Sequence, residues 1–289
     1  MPVPIPGRIA EALRRSTALV RSGGRTHNGN GSAVVLADDL VVTNAHVIQG
    51  RELTVESWEG RSVVARLVRL DRTRDLALLE VKGLGAPSAQ LGDSDLVRAG
   101  TAVIAIGNPL GFTGAVSSGI VHATSAPVHT AHPSGIGSQR WICADLRLAP
   151  GNSGGPLADL RGQVIGINTM VISGGLALAV PSRSVQMFLA QKHGKRSLGV
   201  TLRALDSEAR SGILLLEVEP DGPASRASLL PGDILVAANG RQLQFADDLQ
   251  NAMYSSDSSL LAVEFYRGGE KRLRKVTIQL TPERVATAA

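Results

Sequence analysis

Pro150-Gly151-Asn152-Ser153-Gly154-Gly155-Pro156 is the stretch that decides how this chain is read. A serine hydroxyl is a weak nucleophile; it needs a base to take its proton and donors to hold the oxyanion that forms on attack. Glycines on both sides of Ser153 let the backbone turn tightly, so the amides of Gly151 and Ser153 can point at one spot, with Asn152 shaping the loop. The base is sought at a strand end, and His46 fits in Val41-Val42-Thr43-Asn44-Ala45-His46-Val47-Ile48. The orienting acid is Asp75, in Arg74-Asp75-Leu76-Ala77-Leu78-Leu79-Glu80-Val81. Each has an ordinary reading alone: a glycine-rich turn, a structural histidine, an aspartate capping a turn. His27, His122, His129, His132 and His193 compete with His46 but sit in polar or proline-containing contexts. What separates His46, Asp75 and Ser153 is their joint occurrence, in surroundings suited to base, acid and nucleophile.

Around these residues the chain is a series of short apolar runs broken by Gly, Asn, Asp and Pro. Strands are predicted over 32–36, 40–43, 53–57, 62–71, 76–81, 102–106, 116–121, 140–144, 164–170 and 176–180. Many short strands with little helix between them predict a mainly β fold, a barrel or a sandwich. The stretch Gly100–Gly114 reads as the junction of two halves. A helix is predicted over Pro181–Lys192, with Ser182 as N-cap. A short basic helix over Arg8–Arg15 has Ile9 and Leu13 on one face, for packing on the chain's own body or on a neighbouring subunit, with membrane-surface contact as the alternative. A second unit begins near Ser197, with strands over 198–202, 212–218, 234–238, 260–267 and 271–280, helices over 224–229 and 245–254, and a turn at Asn239-Gly240. The expected division is an N-terminal extension 1–16, a first domain 17–192, a second domain 197–282 and a mobile tail 283–289.

Composition limits the classes. At 289 residues with 43% hydrophobic and 19% charged residues, the chain has the length and apolar content for two packed cores. Aromatics are 3%, so Val, Leu, Ile and Ala must fill those cores. The longest apolar runs, such as Leu176–Pro181, are too short to span a bilayer. One cysteine, Cys143, excludes an internal disulfide and suits a reducing compartment. No apolar signal core follows Met1–Gly7, so a cytoplasmic location is expected in preference to a periplasmic one. The net charge of +5 raises nucleic acid as a partner, but the arginines are scattered and none is expected. No metal-ligand spacing and no phosphate-cradling loop appears, so neither metal nor other cofactor is expected.

With these residues in view, the chain resembles the HtrA/Deg family of trypsin-fold serine proteases carrying a C-terminal PDZ domain. The likeness continues through Leu91-Gly92-Asp93-Ser94-Asp95, Ala105-Ile106-Gly107-Asn108-Pro109-Leu110-Gly111, Ser118-Gly119-Ile120-Val121, Gly166-Ile167-Asn168-Thr169 and Ala179-Val180-Pro181-Ser182. It covers nearly everything from Thr17 to Leu280. The resemblance implies a trypsin-like double β-barrel, two perpendicular six-stranded barrels with His46 and Asp75 from the first and Ser153 from the second, followed by a small α+β PDZ domain. It implies an ATP-independent endopeptidase for misfolded or unfolded polypeptide. Asn152 replaces the aspartate by which zymogen-activated relatives bind a newly cut N-terminus, so that switch is unavailable. By position, Leu148, Val171 and Leu176 line the primary pocket, which favours a small apolar residue before the cut; the alternative is that all three are core. Arg147 and Ala149 depart from the family pattern, and Arg147 reaching the pocket would favour an acidic group instead. The resemblance implies a homotrimer, often built in relatives through aromatic residues near the N-terminus; here Val3, Ile5 and Ile9 are the only apolar candidates for that contact.

Ser197-Leu198-Gly199-Val200 resembles the carboxylate-binding loop of PDZ domains, which take peptide C-termini as an added strand. Phe245, Leu249 and Met253 recur at i, i+4, i+8, so one helix face either walls the side-chain pocket or is core. A chaperone or scaffold that binds polypeptide with little cleavage, and an esterase using the same three residues, are the alternatives to an endopeptidase.

Overall fold

The computed structural model describes residues 6–23, 28–50, 52–124, 140–172, 175–190, 196–206, 211–254, 258–268 and 272–282. The chain divides into two compact units, the first running to Leu189 and the second from Ala190. His27, His129, His132, His193, Val3, Ile5 and the tail 283–289 lie outside the described residues.

The first unit opens with helix α1 (Pro6–Arg15) and strands β1 (Thr17–Gly23), β2 (Asn28–Ala37), β3 (Leu40–Thr43), β4 (Glu52–Glu56), β5 (Ser62–Val64), β6 (Arg66–Asp71) and β7 (Leu76–Glu80). They form one antiparallel sheet in the order β5-β4-β1-β2-β3-β7-β6. The predicted single run 62–71 is two strands, because the buried Ala65 turns inward and gives its amide to Leu53 O at 2.8 Å. The sheet's two outer strands, β5 and β6, are thus separated by one residue, so the sheet is rolled into a barrel. A second, closed barrel follows in the order β10-β13-β12-β11-β8-β9. Its strands are β8 (Ala102–Gly107), β9 (Ala115–Ala123), β10 (Ile142–Asp145), β11 (Pro156–Asp159), β12 (Val164–Val171) and β13 (Ala177–Pro181), and helix α2 (Ser182–Ala190) ends the unit.

Alternation along the strands sorts residues into three cores. Val20, Ala33, Val35, Val41 and Leu79 fill the first barrel, and Val103, Ala105, Ile165, Ala177 and Ala179 fill the second. Their neighbours Val34, Val42, Leu76, Leu178 and Val180 point outward into a third cluster shared by both barrels, with Trp141, Cys143 and Phe188. Strands buried on both faces must be apolar throughout, which is why 176–180 reads as an unbroken hydrophobic run. Ile9, Ala10 and Leu13 of α1 enter the same cluster. Ile9 is therefore spent on the chain's own core and presents no surface for a neighbouring subunit. The predicted N-cap at Ser182 is corrected too: its hydroxyl donates to Gly92 O at 2.7 Å and accepts from Ser94 N at 3.2 Å, tying the helix start to that loop.

The second unit holds β14 (Arg196–Ser197), β15 (Val200–Asp206), β16 (Ser211–Val218), α3 (Pro223–Arg226), β17 (Asp233–Ala238), β18 (Arg241–Gln242), α4 (Ala246–Tyr254), β19 (Leu260–Arg267), β20 (Arg274–Gln279) and β21 (Thr281–Pro282). Its main sheet runs β15-β16-β17-β19-β20, with β18 on β17, and β14 pairs with β21. Asn239 and Gly240 both have positive φ, 48° and 75°, as a two-residue hairpin requires. Leu198, Leu215, Leu235, Leu249, Met253 and Phe265 share its separate core. Among the described residues no helix is long and apolar enough to cross a membrane.

Candidate active site

His46 lies in the single helical turn after β3, and Asp75 in the turn before β7; β3 and β7 pair directly, so the two segments leave the sheet side by side. Asp75 adopts φ 55°, a left-handed conformation that aspartate tolerates better than most residues. Its carbonyl accepts Asn44 Nδ2 at 2.9 Å, which holds this turn against the one bearing His46. The Asp75 carboxylate takes the His46 backbone amide at 3.0 Å, and imidazole Nδ1 at 2.8 and 3.0 Å on its two oxygens. A carboxylate only accepts, so Nδ1 carries the proton and a neutral ring keeps its lone pair on Nε2. The Asp75 side chain is 3% exposed and that of His46 34%, so the acid is sealed while the imidazole reaches the surface.

Thr169, on β12 of the second barrel, completes this arrangement. Its hydroxyl donates to Asp75 Oδ2, and its carbonyl accepts the Ser153 hydroxyl at 2.8 Å. One residue thus bonds to both Asp75 and Ser153. The Ser153 hydroxyl is directed at that carbonyl in this structure. In the sequence, Gly166-Ile167-Asn168-Thr169 carries only a family likeness. A hydroxyl inside a strand carries no local sign of such a role.

The loop before Ser153 is a defined turn. Asn152 N donates to Ala149 O at 3.0 Å across Pro150 and Gly151, and Gly151 has φ 105°. Proline excludes positive φ at the first central position and Gly151 has it at the second, which together define a type II turn. A Cβ on Gly151 would lie 2.5 Å from Asn108 O and 2.9 Å from Pro109 Cα, so glycine is required twice over. The Pro150 carbonyl accepts Leu110 N at 3.2 Å. In a trans peptide N–H and C=O point opposite ways, so the Gly151 N–H faces away from Leu110. Neither it nor the Ser153 N–H has an acceptor among the described residues. Asn152 turns its side chain back to Ala149 O at 3.1 Å. Ala149 thus supports the turn through its carbonyl alone, and the departure at this position leaves that support intact. Beyond the serine, Gly154 N bonds Asn168 O at 2.8 Å, and Asn168 N bonds Gly155 O at 2.9 Å, anchoring the loop to β12.

The three residues read as pocket lining are dispersed in their packing. Leu148 is half-buried against the second barrel's core, Leu176 half-buried against the shared cluster, and Val171 is 46% exposed. Arg147 is exposed. In the second unit, Gly199 has φ 67° and its carbonyl accepts Glu219 N at 2.8 Å. Ser197 pairs through its backbone with Thr281, and Leu198 is buried. Val200 opens β15, whose only strand neighbour among the described residues is β16. Leu249 and Met253 are 1% and 5% exposed, members of the module's core. Among the described residues no group of three His, Cys, Asp or Glu is placed to hold a metal ion.

Fold and site together define a trypsin-like serine protease domain followed by a PDZ domain. A trypsin-like peptidase domain model matches residues 31–167, and a PDZ domain model matches residues 197–279. Serine protease HTRA1 of Xenopus tropicalis is 32% identical over 285 residues, 89% of this chain and 60% of that protein. HhoB of Synechocystis sp. is 31% identical over 283 residues, 88% of this chain and 67% of that one. A solved structure of the HtrA-type protease AlgW with a tripeptide superimposes with TM-score 0.77 at 28% identity, covering 97% of this chain and 98% of the other. This chain belongs to the HtrA/DegP family of serine proteases, and it spans about 60% of the length of the HTRA1 relative it matches.

Proposed function

We propose that the protein is an ATP-independent endopeptidase that cleaves misfolded or unfolded polypeptide, with Ser153 as nucleophile, His46 as general base and acid, and Asp75 as the orienting carboxylate. The observation that carries this reading is the meeting of Asp75 and Ser153 on Thr169, with His46 Nδ1 already on the same carboxylate. Rotation about the Ser153 Cα–Cβ bond exchanges the Thr169 carbonyl for imidazole Nε2. Oγ then attacks the scissile carbonyl carbon as its proton passes to Nε2, and the carbonyl electron pair moves onto oxygen. The amides of Gly151 and Ser153, unpaired within the described residues, are the donors for that oxyanion. Collapse of the tetrahedral intermediate breaks the C–N bond, and the imidazolium protonates the leaving amine. Water, deprotonated by His46, then hydrolyses the acyl-enzyme. Asp75, sealed from solvent, fixes the tautomer of the neutral imidazole and stabilises the imidazolium that forms from it.

Leu148, Val171 and Leu176 form the proposed pocket for a small apolar residue before the cut, a residue type that unfolding exposes. At the second unit, the open edge of β15 supports addition of a peptide strand, with its terminal carboxylate on the Leu198-Gly199-Val200 loop. The test is digestion of reduced, denatured casein together with fluorophosphonate labelling and mapping of the modified residue. Wild type is expected to degrade casein and to label at Ser153, and Ser153→Ala to do neither. Casein degradation surviving in Ser153→Ala would falsify the assignment. Binding without cleavage by a folded wild type would make the chain a scaffold.

A further inference from the structure

A turn with glycine at its second central position can take two forms, type II and type I, which differ by rotation of the central peptide. With Gly151 at φ 105° its N–H faces the site; with φ near the negative value of a type I turn, the Pro150–Gly151 peptide flips and the carbonyl takes its place. Glycine admits both signs of φ at little cost, so the residue that permits the working state also permits its loss. The Asn152 side chain is uncharged and folds back on Ala149 O, so it offers no ion pair to hold the loop. Something else must hold the turn.

We infer that Ser32 is a positioning residue for the oxyanion turn, a hydroxyl lent by the first barrel that holds the Gly151 carbonyl and so fixes where the turn sits against the site, while Leu110 N on Pro150 O holds the preceding peptide that carries the Gly151 N–H. Ser32 lies on β2 and is fully buried. Its Oγ donates to Gly151 O at 2.7 Å and accepts from Asn108 N at 2.9 Å and from Asn108 Nδ2 at 3.1 Å. A hydroxyl has one hydrogen and two lone pairs, and all three are used, so it has no alternative orientation. The Ser32 amide donates to Ser153 O at 2.7 Å. One residue therefore grips both amino acids whose amides face the oxyanion.

Asn108 is held as firmly. Its second amide hydrogen goes to Ala18 O at 3.1 Å, and its Oδ1 takes Gly114 N at 2.9 Å. The Gly114 carbonyl accepts Arg14 Nε at 2.8 Å, and the Arg14 guanidinium lies 5.4 Å from the centroid of the Trp58 ring. An unbroken series of contacts runs from α1 and the β4–β5 hairpin, through Gly114, Asn108 and Ser32, to Gly151. The clamp crosses between barrels, so it fixes the turn relative to the face that bears His46 and Asp75.

This inference rests on Ser153 being the nucleophile, and its test separates the two claims. The full-length protein is assayed as wild type, Ser32→Ala, Ser32→Cys and Ser153→Ala, on a peptide anilide with Val before the cut. Active sites are counted by fluorophosphonate titration, so that partial unfolding lowers the count and leaves the rate per site unaffected. Binding of a peptidyl boronic acid, whose tetrahedral adduct needs the oxyanion donors, is measured alongside. In Ser32→Ala, per-site kcat and boronate affinity are expected to fall together by about tenfold to a hundredfold, the scale of a small misplacement, with KM changed less than about twofold. Ser32→Cys keeps the volume with a weaker donor, folds if Ala does not, and is expected to show a smaller loss of the same kind. Per-site kcat and boronate affinity at wild-type values in either folded variant, with Ser153→Ala inactive, overturn the clamp alone. Turnover surviving in Ser153→Ala overturns the nucleophile and the clamp together.

Discussion

Thr169 shows how much one side chain carries at this site: its hydroxyl serves Asp75 and its carbonyl serves Ser153. Asp75 in turn has four interactions converging on it, from Thr169, from Asn44 at its carbonyl, and from the amide and ring of His46. A carboxylate so placed dictates which imidazole nitrogen holds the proton. Replacing it by the isosteric amide keeps the shape and lets the NH2 group face the ring, which favours the opposite tautomer and places the proton on Nε2. Asp75→Asn is accordingly expected to lower kcat by about four orders of magnitude while the protein stays folded. Anilide hydrolysis near neutral pH, with near-UV circular dichroism as the fold control, checks this, and a loss below about tenfold would show that His46 is oriented by something else. His46, Asp75 and Ser153 stand out in the sequence as candidates because each residue type suits one chemical role. Thr169 and Ser32 are illegible there, because a hydroxyl in a strand has many uses and only its neighbours select one.

Elements were read correctly where alternation or turn chemistry is local. The run 40–43 and the hairpin at Asn239-Gly240 need nothing from outside to be recognised. Strand β1, Thr17–Gly23, leaves a weak mark in the sequence because its apolar stretch Ala18-Leu19-Val20 is short and closes on polar residues. Strand β11, Pro156–Asp159, was hidden behind the glycines of the serine loop, since proline is accepted at the first position of a strand but signals a turn to a reader. In the second unit, element ends are tied by charge. Asp233, at the start of β17, is 1% exposed and receives Arg267 Nε and Nη2 from the end of β19, each at 2.8 Å, and the Leu230 amide at 2.9 Å. Removing the guanidinium leaves a buried carboxylate without its cation. Arg267→Ala is expected to destabilise this unit by an amount at the lower end of about 3–5 kcal/mol, since the Arg267 side chain keeps 28% of its surface in water. Calorimetry of the full chain should show the transition of one unit moved down. A shift equivalent to less than about 1 kcal/mol would mean that solvent replaces the guanidinium.

At the scale of the molecule, the cluster shared by the two barrels holds the site's halves together, and Cys143 lies inside it. Burial pushes the Cys143 thiol up from its ordinary value, because the apolar surroundings disfavour the thiolate. The folded chain therefore keeps this proton where the unfolded chain has lost it. The stability that follows is undiminished below the unfolded thiol's value of about 8.5 and falls as pH rises above it. Ellman's reagent is expected to leave native protein unmodified at pH 8 and to react with one thiol per chain once urea opens the barrels. Rapid native modification would mean that the shared cluster opens locally. By itself the sequence determined the mainly β character, the second module and the three chemically distinctive candidates, because alternation, glycine-dependent turns and functional-group chemistry are properties of a few adjacent positions. Only the tertiary structure decided which strand faces meet between the barrels, and that a hydroxyl reaches 119 positions along the chain to hold Gly151 while another reaches 94 to hold Asp75. Bonds of that span leave no pattern in neighbouring residues; they exist only once two barrels have closed and packed.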